Sequence, residues 1–431
     1  MAFTYKVAAL APTIQPPMDE QILSTETESP TLAAAQESVA PPALSSASVW
    51  LMAITVGVTV ANNYYAQPLL ADIAASFHLT VTRAGALAMF GQVGTALGMF
   101  LFVPLGDKFE RRALISTLLI AAAASLILVA LARTAWWMAA AYFCVGATAA
   151  TVHVVVPFAA HLASPSQRGR VVGTVLGGLL FGILLARTFS GALGAVLGWR
   201  AVFIIAAAFM IILAATVRTR LPFDRPEVKL SWLELMRSTW GLARAHATLR
   251  EAALLGALSF AAFSAFWTTL VFHLGLAFGQ GSTAAGLFGL AGAVGAAGAP
   301  LFGTLATRHG PRVTVAIGLC VTLLSFLIMG LGGGILVALI VGVIGMDLGV
   351  QLSHVSNQTR IYQIDPQARS RLNMVYMVSY FTGGAIGSYL GAVAWHALGW
   401  WGVCGFAAAV LSIAILVQAL FGRTNSSAAP V

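Results

Sequence analysis

Apolar segments long enough to cross a lipid bilayer dominate the sequence. A membrane-spanning helix needs about 20 mostly apolar residues. The segments are continuous apolar runs rather than alternating ones, which favours helices over a β-barrel. We number them spans 1 to 12; they lie approximately at 48–72, 82–104, 113–132, 136–161, 172–195, 201–217, 252–276, 283–305, 313–331, 335–360, 372–395 and 402–421. The pattern predicts an all-α membrane protein with twelve transmembrane helices.

Charged residues are scarce and are concentrated in the loops between spans. They make up 9% of the chain, against about 25% in a soluble protein. With both termini placed in the cytoplasm, 19 of the 23 Lys and Arg residues lie in cytoplasmic segments, 3 lie on the opposite side and Arg187 lies within a span. This distribution follows the positive-inside rule. We expect a multi-pass inner-membrane protein with both termini cytoplasmic, and the net charge of +9 requires no nucleic-acid partner.

Sites for metals, cofactors or covalent catalysis are not indicated. Cys144, Cys320 and Cys404 lie inside apolar stretches, without metal-ligand or disulfide spacing. A membrane-embedded enzyme would need a Gly-x-Ser-x-Gly elbow, a His-Glu-x-x-His motif or paired intramembrane acids, and none is present. We therefore expect no metal, no cofactor and no enzymatic activity.

The chain repeats itself at an offset of about 200 residues. The segment Val103–Arg112 after span 2 matches Gly303–Arg312 after span 8, and Gly198-Trp-Arg200 matches Gly399-Trp-Trp401. Arg168-Gly-Arg170, before span 5, matches Arg369-Ser-Arg371, before span 11. Two parallel repeats related in this way predict two pseudo-symmetric six-helix bundles.

Domain boundaries follow from the repeat and from composition. Residues 1–46 are rich in Pro, Ser, Thr and Ala and contain no cleavable signal, so we expect a disordered cytoplasmic tail. A start codon assigned too far upstream would look the same. The remaining domains predicted are an N-terminal bundle at 47–217, a cytoplasmic linker at 218–250, a C-terminal bundle at 251–421 and a tail at 422–431.

The spans fall into three recurring types. Spans 2, 5, 8 and 11 carry glycines every three or four residues, which allow helix backbones to approach closely. Spans 1, 4 and 10 carry polar side chains, and span 7 carries fewer. Spans 3, 6, 9 and 12 are almost entirely apolar. We expect helices of these types to pack closely, to line a cavity and to face lipid, respectively.

Several motifs resemble those of the major facilitator superfamily. Val103–Arg112 resembles its loop 2–3 signature, and Gly303–Arg312 resembles the second copy. Asn62–Leu70, Gly182–Gly191 and Gly198–Phe203 resemble elements of the branch that contains drug:proton antiporter-like and sugar-efflux permeases. The resemblance covers about residues 47–421. It implies the major facilitator fold and transport by alternating access.

The sequence departs from the pattern of that branch at several positions. Val103 and Glu110 replace signature glycines, and Thr307 replaces the acid of the second copy. Drug antiporters of the superfamily usually carry an Arg in span 4, where Tyr142 stands here. They also usually carry Gly-Pro in span 5, where this chain has Ala186-Arg187. We therefore do not carry the proton pathway of that group over to this chain.

Asp347 and Arg187 are the most informative single residues. Asp347 is the only one of 14 acids well inside a span, and a carboxylate at mid-bilayer costs about 2.5–3.5 kcal/mol even on permissive scales. It is either a proton-coupling site or part of a static ion pair or packing hydrogen bond. Arg187 stays charged, and it either contacts substrate or pairs with Asp347 across the two halves.

Polar residues of spans 1, 2, 4 and 10 are the other candidates for the substrate and proton pathway. Amides within the bilayer need hydrogen-bond partners, which a wet cavity or a neighbouring helix would supply. A histidine there contacts protons or substrate, or is a satisfied residue of the bundle. The candidates are Asn62, Asn63, Tyr65, Gln67, Gln92, His153, Gln351 and His354.

The loop 2–3 signature and its repeat imply a cytoplasmic gate. By resemblance, charged residues there hold the two halves together on the inner side while the outer side is open. The alternative is that these charges are solvated and serve only topology. The gate residues are Asp107, Lys108, Arg111, Arg112, Arg308 and Arg312.

The function predicted is secondary active transport, most consistent with proton-coupled efflux of a small molecule. The partners expected are a small-molecule substrate, protons and the lipid bilayer, with the chain functional as a monomer. The main alternative keeps the fold and reverses direction, giving proton-coupled import of a sugar or small organic acid. A non-transporting sensor would need a soluble signalling module, and the longest tail is 46 residues.

Overall fold

A computed structural model describes residues 44–224, 232–297 and 308–426, without the side chains of 107, 232–233, 293–297 and 422–426. Most of the predicted N-terminal tail, the middle of the linker and the second signature copy before Arg308 lie outside these ranges. The helices are α1 Ser46–Ala61, α2 Ala66–Ser76, α3 Val81–Phe102, α4 Arg111–Ala130, α5 Ala135–Thr148, α6 Thr151–Leu162, α7 Arg168–Leu197, α8 Trp199–Arg220, α9 Trp232–Ala245, α10 Ala247–Phe278, α11 Ser282–Ala297, α12 Pro311–Leu331, α13 Leu336–Tyr362 and α14 Arg369–Ser426.

These helices reproduce the predicted spans in number and order. Nine helical segments of the described residues are long and apolar enough to cross a membrane, and the segment Arg369–Phe421 is long enough to cross twice. Within it, α14 leaves helical geometry at Leu398 and Gly399, where spans 11 and 12 meet. Helices α1 and α2 together form span 1, and α11 is the described part of span 8. The all-helical membrane fold is confirmed.

Spans 1 and 4 are each divided into two helices. In span 1 the helix stops at Ala61 and resumes at Ala66, and in span 4 it stops at Thr148 and resumes at Thr151. Pro68 has no backbone N–H, so the carbonyl of Tyr64 cannot make its usual helical hydrogen bond and instead accepts one from the Gln67 N–H. The break releases backbone groups in the middle of the bundle, where side chains of other spans can reach them.

Two apolar cores divide the chain into two bundles. The first core is built from residues of the first six spans, with Ile115, Phe158 and Phe203 fully buried. The second core is built mainly from spans 7 to 12 and also takes in Leu70, Ala84 and Met99 of the first half. Spans 1 and 2 therefore form part of the contact between the two six-helix bundles.

Glycines bring pairs of helices into backbone contact. A Cβ atom added to Gly146 in span 4 would lie 2.0 Å from the carbonyl oxygen of Gly91 in span 2. Similar contacts join Gly182 in span 5 to Gly57 in span 1, and Gly387 in span 11 to Ala261 in span 7. Since no side chain fits at these points, the glycines set the distance between the spans.

Buried ion pairs tie the C-terminal bundle together at one end. We call this the basic end, because the loop between spans 2 and 3 lies there, together with the arginines beside that loop. Glu251 is 1% exposed and accepts hydrogen bonds from Arg360 at 2.5 Å and from Arg312 at 3.2 Å. Arg312 also donates to the carbonyl of Gln418 at 2.7 Å. One carboxylate thereby links spans 7, 9, 10 and 12.

Substituting Gly146 with Ala is expected to destabilise the protein, because the added methyl group has no space against span 2. Overpacking of this kind costs about 1–3 kcal/mol. The matched control is Gly177→Ala in span 5, where an added Cβ meets nothing within 4 Å. Thermal unfolding of the purified proteins in detergent measures both effects. Equal melting temperatures for the two variants would contradict the close contact between spans 2 and 4.

Glu251→Gln is expected to destabilise the C-terminal bundle, because two arginines would lose their shared anion. Breaking a buried ion pair by removing one partner costs about 3–5 kcal/mol. The control is Arg218→Gln, since Arg218 pairs with Glu110 at 3.2 Å with a side chain that is 55% exposed. An exposed pair contributes roughly 0–1 kcal/mol. A loss of melting temperature no greater for Glu251→Gln than for Arg218→Gln would refute the central role of Glu251.

Candidate functional site

A small polar cavity lies between the two bundles. It offers about 20 Å³ of space to the centres of water molecules, enough for ordered water but not for a drug-sized ligand. Its walls come from spans 1, 2, 4, 7 and 11 and combine amides, hydroxyl groups and small residues. The lining residues are Asn63, Ala66, Gln67, Leu70, Ala88, Gly91, Gln92, Tyr142, Thr268 and Ser388.

The break in span 1 places Asn63 in the cavity wall. The Asn63 side chain donates to Thr95 Oγ1 at 3.2 Å, and its backbone carbonyl accepts a hydrogen bond from the Tyr142 hydroxyl at 3.0 Å. In a continuous helix that carbonyl would be bonded to the N–H of Gln67, which instead bonds to Tyr64. Tyr142 therefore satisfies a backbone group that the break exposes, and it joins span 4 to span 1.

Arg187 is held by one amide and a set of aromatic rings. It is 3% exposed, and its Nε donates to Gln67 Oε1 at 2.7 Å. The guanidinium carbon lies 3.8 Å from the centre of the Trp267 ring and 4.6 Å from that of Tyr64. Cation–π contacts of this kind stabilise a desolvated arginine. Its Nη2 atom and the indole N–H of Trp267 are buried without a hydrogen-bond partner among the described residues.

Asp347 lies near Arg187 but does not form an ion pair with it. Within the described residues, no nitrogen of Arg187 comes within the 4.0 Å ion-pair distance of the Asp347 carboxylate. The two charges nevertheless interact electrostatically. Asp347 is 8% exposed, and its Oδ2 has no hydrogen-bond partner in the part of the chain that the structure describes. Both charges thus keep a free polar atom inside the bundle.

Helix α11 passes both charged side chains with glycines on the contacting face. A Cβ atom added to Gly289 would lie 2.9 Å from Arg187 Cβ, and one added to Gly292 would lie 2.6 Å from Asp347 Oδ2. Residues three apart on a helix share a face. Span 8 therefore brings Arg187 of the first half and Asp347 of the second half to one side of a single helix.

Five of the predicted pathway residues meet around this region and the cavity beside it, Asp347 among them. Gln67 joins the two, because it lines the cavity and also accepts the hydrogen bond from Arg187. Asn63 and Gln92 line the cavity, and the buried Oε1 atom of Gln92 has no partner within the described ranges. Arg187 completes the set through Gln67.

Other predicted pathway residues lie elsewhere. Asn62 points into the first core and donates to Met210 Sδ at 3.4 Å, and Tyr65 packs near Phe189. His354 shares a hydrogen bond of 3.0 Å with the Tyr376 hydroxyl. His153 lies near enough to His354 for an electrostatic interaction, and Gln351 is half-buried on the same helix.

The described contacts of the predicted gate residues lie within their own half or with the start of the linker, and none of them joins the two halves. Arg111 pairs with Asp224 at 2.7 Å, and Arg112 pairs with Glu110 at 3.2 Å. Arg312 binds Glu251, as described above. Lys108 and Arg308 are exposed, and the side chain of Asp107 lies outside the described residues. A latch between the halves stays a prediction.

Sequence reasoning missed the aromatic and hydroxyl groups of the site. Trp267 and Tyr64 surround Arg187, and Thr268 donates to Ser388 at 3.1 Å in the cavity wall. Aromatic and hydroxyl side chains are common in membrane helices, so composition does not single them out. In the sequence, Tyr142 stands out only because drug antiporters of the superfamily usually carry an arginine at that position. Glu251 escaped notice because it lies at the boundary between linker and span 7.

Comparisons with known proteins agree with this architecture. The sequence profile of the Major Facilitator Superfamily matches residues 52–388. The transporter YgaY of Escherichia coli O157:H7 is 43% identical over 375 residues, which cover 87% of this chain and 95% of that protein. The transporter SCO4007 of Streptomyces coelicolor is 36% identical over 363 residues, covering 84% of each chain.

Solved structures show the same fold at low sequence identity. A point mutant of the nucleoside transporter NupG aligns with a TM-score of 0.73 and 14% identity over 86% of this chain and 99% of that one. A bacterial homologue of the human lysosomal transporter Spinster, inward-facing and occupied, aligns with a TM-score of 0.68 and 15% identity over 87% and 96%. The chain therefore belongs to the Major Facilitator Superfamily and is a multi-pass membrane transporter of that family.

Proposed function

We propose that this transporter moves a small molecule outward across the inner membrane in exchange for protons, with Asp347 as the proton site. The observation that carries the proposal is the buried Asp347 carboxylate, whose Oδ2 has no partner among the described residues and which Arg187 approaches without ion-pair contact. An ionised carboxylate in that position is costly, and protonation removes the charge. The site can therefore exchange between a charged and a neutral form.

Alternating access accounts for how this exchange would be coupled to movement. The cavity has walls from both bundles, so rocking one bundle against the other opens it first to one side and then to the other. Arg187 and Asp347 come from different bundles, and their interaction changes when the proton binds. A ligand shifts a conformational equilibrium only through a difference in its affinity for the two states. Protonation of Asp347 would supply that difference.

Spans 5 and 8, which belong to different bundles, are in close contact beside Arg187, so a change in charge there can alter how the two bundles pack. Gly191 of span 5 meets the backbone of Ser282 and Gly286 in span 8, and Thr188 donates to the carbonyl of Gly286 at 3.1 Å. These contacts lie within a turn of Arg187. A change in the charge beside Arg187 would therefore act directly on the interface that must move.

The outward direction is supported by resemblance to the efflux branch at Asn62–Leu70 and Gly182–Gly191. The proposal also places the basic end in the cytoplasm, following the positive-inside rule, and takes one chain as the functional unit. The alternative is proton-coupled import of a sugar or small organic acid. It draws support from the amides and hydroxyl groups of the cavity, which suit a hydroxylated ligand.

Proton coupling is expected to be lost in Asp347→Asn, because an amide keeps the shape of the acid but takes up no proton. A substrate is first found by a growth panel in a pump-deficient strain. Proton flux is then recorded with a pH-sensitive dye in everted membrane vesicles after that substrate is added. The control is Asp365→Asn, an acid of the loop before span 11 that caps the N–H of Gln367.

Substrate-dependent proton release that is equal in wild type and Asp347→Asn would refute Asp347 as the proton site. The same vesicles also separate the two directions. Everted vesicles that accumulate substrate when the lumen is acidified support exchange with protons. Accumulation that instead requires an acidic external medium would establish import with protons and reject the outward direction.

The interaction between Arg187 and Asp347 is expected to appear in a double-mutant cycle. Arg187→Gln or Asp347→Asn alone leaves one buried charge without its opposite, so each should lower the melting temperature. Removing both charges should recover part of that loss, with a coupling of about 0.5–3 kcal/mol. Transport should stay abolished in the double variant. Recovery of proton-coupled transport would show that the two residues form only a static pair.

A further inference from the structure

We infer that Arg187 and Asp347 bind the head group of a zwitterionic, amino-acid-like substrate, its carboxylate at Arg187 and its ammonium group at Asp347. This inference deepens the proposed function and rests on it, since it gives a substrate class to the same site. The names of the known relatives assign no such ligand. Its basis is the set of polar atoms that the described part of the folded chain leaves without partners.

The donor side of the site consists of Arg187 and Trp267. The guanidinium is fixed by Gln67 at Nε and by the Trp267 ring, so its free Nη2 has a defined direction. The indole N–H of Trp267 is also buried, and no described residue accepts from it. Buried donors are almost always satisfied, so two free ones beside each other indicate a missing acceptor. A carboxylate accepts two such hydrogen bonds at once.

The acceptor side is the Oδ2 atom of Asp347. It is buried without a partner among the described residues and faces Gly292, where any side chain would displace it. An ammonium group is the natural partner for a carboxylate oxygen in this position, because it brings both charge and hydrogen. A cation with no carboxylate would leave Arg187 unpaired. An anion with no ammonium group would leave Asp347 unpaired.

The spacing of the two charges fits a head group with adjacent ammonium and carboxylate. Gly289 and Gly292, three residues or about 4.5 Å apart along span 8, lie against Arg187 Cβ and Asp347 Oδ2. No nitrogen of Arg187 lies within 4.0 Å of the Asp347 carboxylate, yet both side chains meet the same face of span 8, so a small head group can bridge charges that do not pair directly. The substrate side chain would extend past Gln67 into the polar cavity lined by Asn63 and Gln92.

Charge balance explains why such a substrate would exchange with protons. A zwitterion adds no net charge to a site that already holds one positive and one negative group. A proton on Asp347 and the ammonium group compete for the same carboxylate, so binding of one excludes the other. A purely anionic substrate would instead require the protonated acid, and substrate and proton would then move in the same direction.

Binding to the purified full-length protein tests the inference. The probes are L-serine and L-leucine, each with its methyl ester, which lacks the carboxylate, and its N-acetyl derivative, which lacks the ammonium group. Thermal stabilisation is measured across a concentration series. We expect at least one free amino acid to bind 10-fold or more tightly than both of its derivatives, and more weakly as pH falls because protons compete for Asp347.

Two variants assign each half of the head group. In Asp347→Asn the N-acetyl derivative should bind as well as the free amino acid, since the partner of the ammonium group is gone. In Arg187→Gln the methyl ester should bind as well as the free amino acid. Arg200→Gln is the matched control, because Arg200 also stacks on a tryptophan, Trp199, at 4.2 Å but donates to the carbonyl of Ala132 away from the cavity.

Failure of the inference and failure of the proposed function give different results. If neither free amino acid binds, or if the derivatives bind equally well in the wild type, the zwitterion site is rejected. Proton flux lost in Asp347→Asn would then leave the proposed function intact. If Asp347→Asn retains proton coupling, both are rejected. Preference for the free amino acid in wild type that persists in both variants places the site elsewhere and also overturns the inference.

Discussion

Two opposite charges, buried in helices of lipid length and held out of contact, are the constraint on which the rest of the structure depends. Arg187 is accommodated by Gln67 and the rings of Tyr64 and Trp267, which lower the cost of desolvating a guanidinium. Asp347 has no comparable set of described partners at Oδ2. An arginine that stays charged and an acid that can be neutralised make an asymmetric pair, in which only the acid can take up and release a proton. The surrounding helices must keep the two near each other and still allow them to move.

The glycines and the breaks in the spans keep the two charges near each other through contacts between backbones rather than between side chains. Gly286 and Gly289 allow span 8 to lie directly on span 5 beside Arg187. The break in span 1 turns Asn63 toward the cavity and frees its carbonyl for Tyr142. In the C-terminal bundle, Glu251 and its two arginines fix spans 7, 9 and 10 at the basic end. The C-terminal bundle is thus tied internally, and the contact between spans 5 and 8 of the two bundles is made by small residues.

The helices could be predicted from the sequence, because backbone in lipid must form helices or closed barrels and continuous apolar runs select helices. Asp347 and Arg187 could be predicted from their rarity. The directions of neighbouring side chains could not: Asn62 and Asn63 are adjacent, yet one bonds to Met210 in the core and the other lines the cavity. That difference depends on where span 1 breaks, which the position of Pro68 suggests but does not define. The role of Trp267 was equally hidden, because only the fold brings it to Arg187.

The internal repeat shows that the charged positions of one half have uncharged equivalents in the other half. Gln67 and Arg187, which share a hydrogen bond of 2.7 Å, each have an equivalent 201 residues later, Thr268 and Ser388, which share one of 3.1 Å. The residue 201 positions before Asp347 is Gly146, which packs against Gly91. The two halves therefore keep the same pair of contacting positions, but one half places a long cation where the other places a hydroxyl group. The small residues leave the room that the cavity occupies, and the charged ones supply the chemistry beside it. In the proposed mechanism, this symmetric fold with an asymmetric charge distribution lets the two bundles move alike while Asp347 alone takes up the proton.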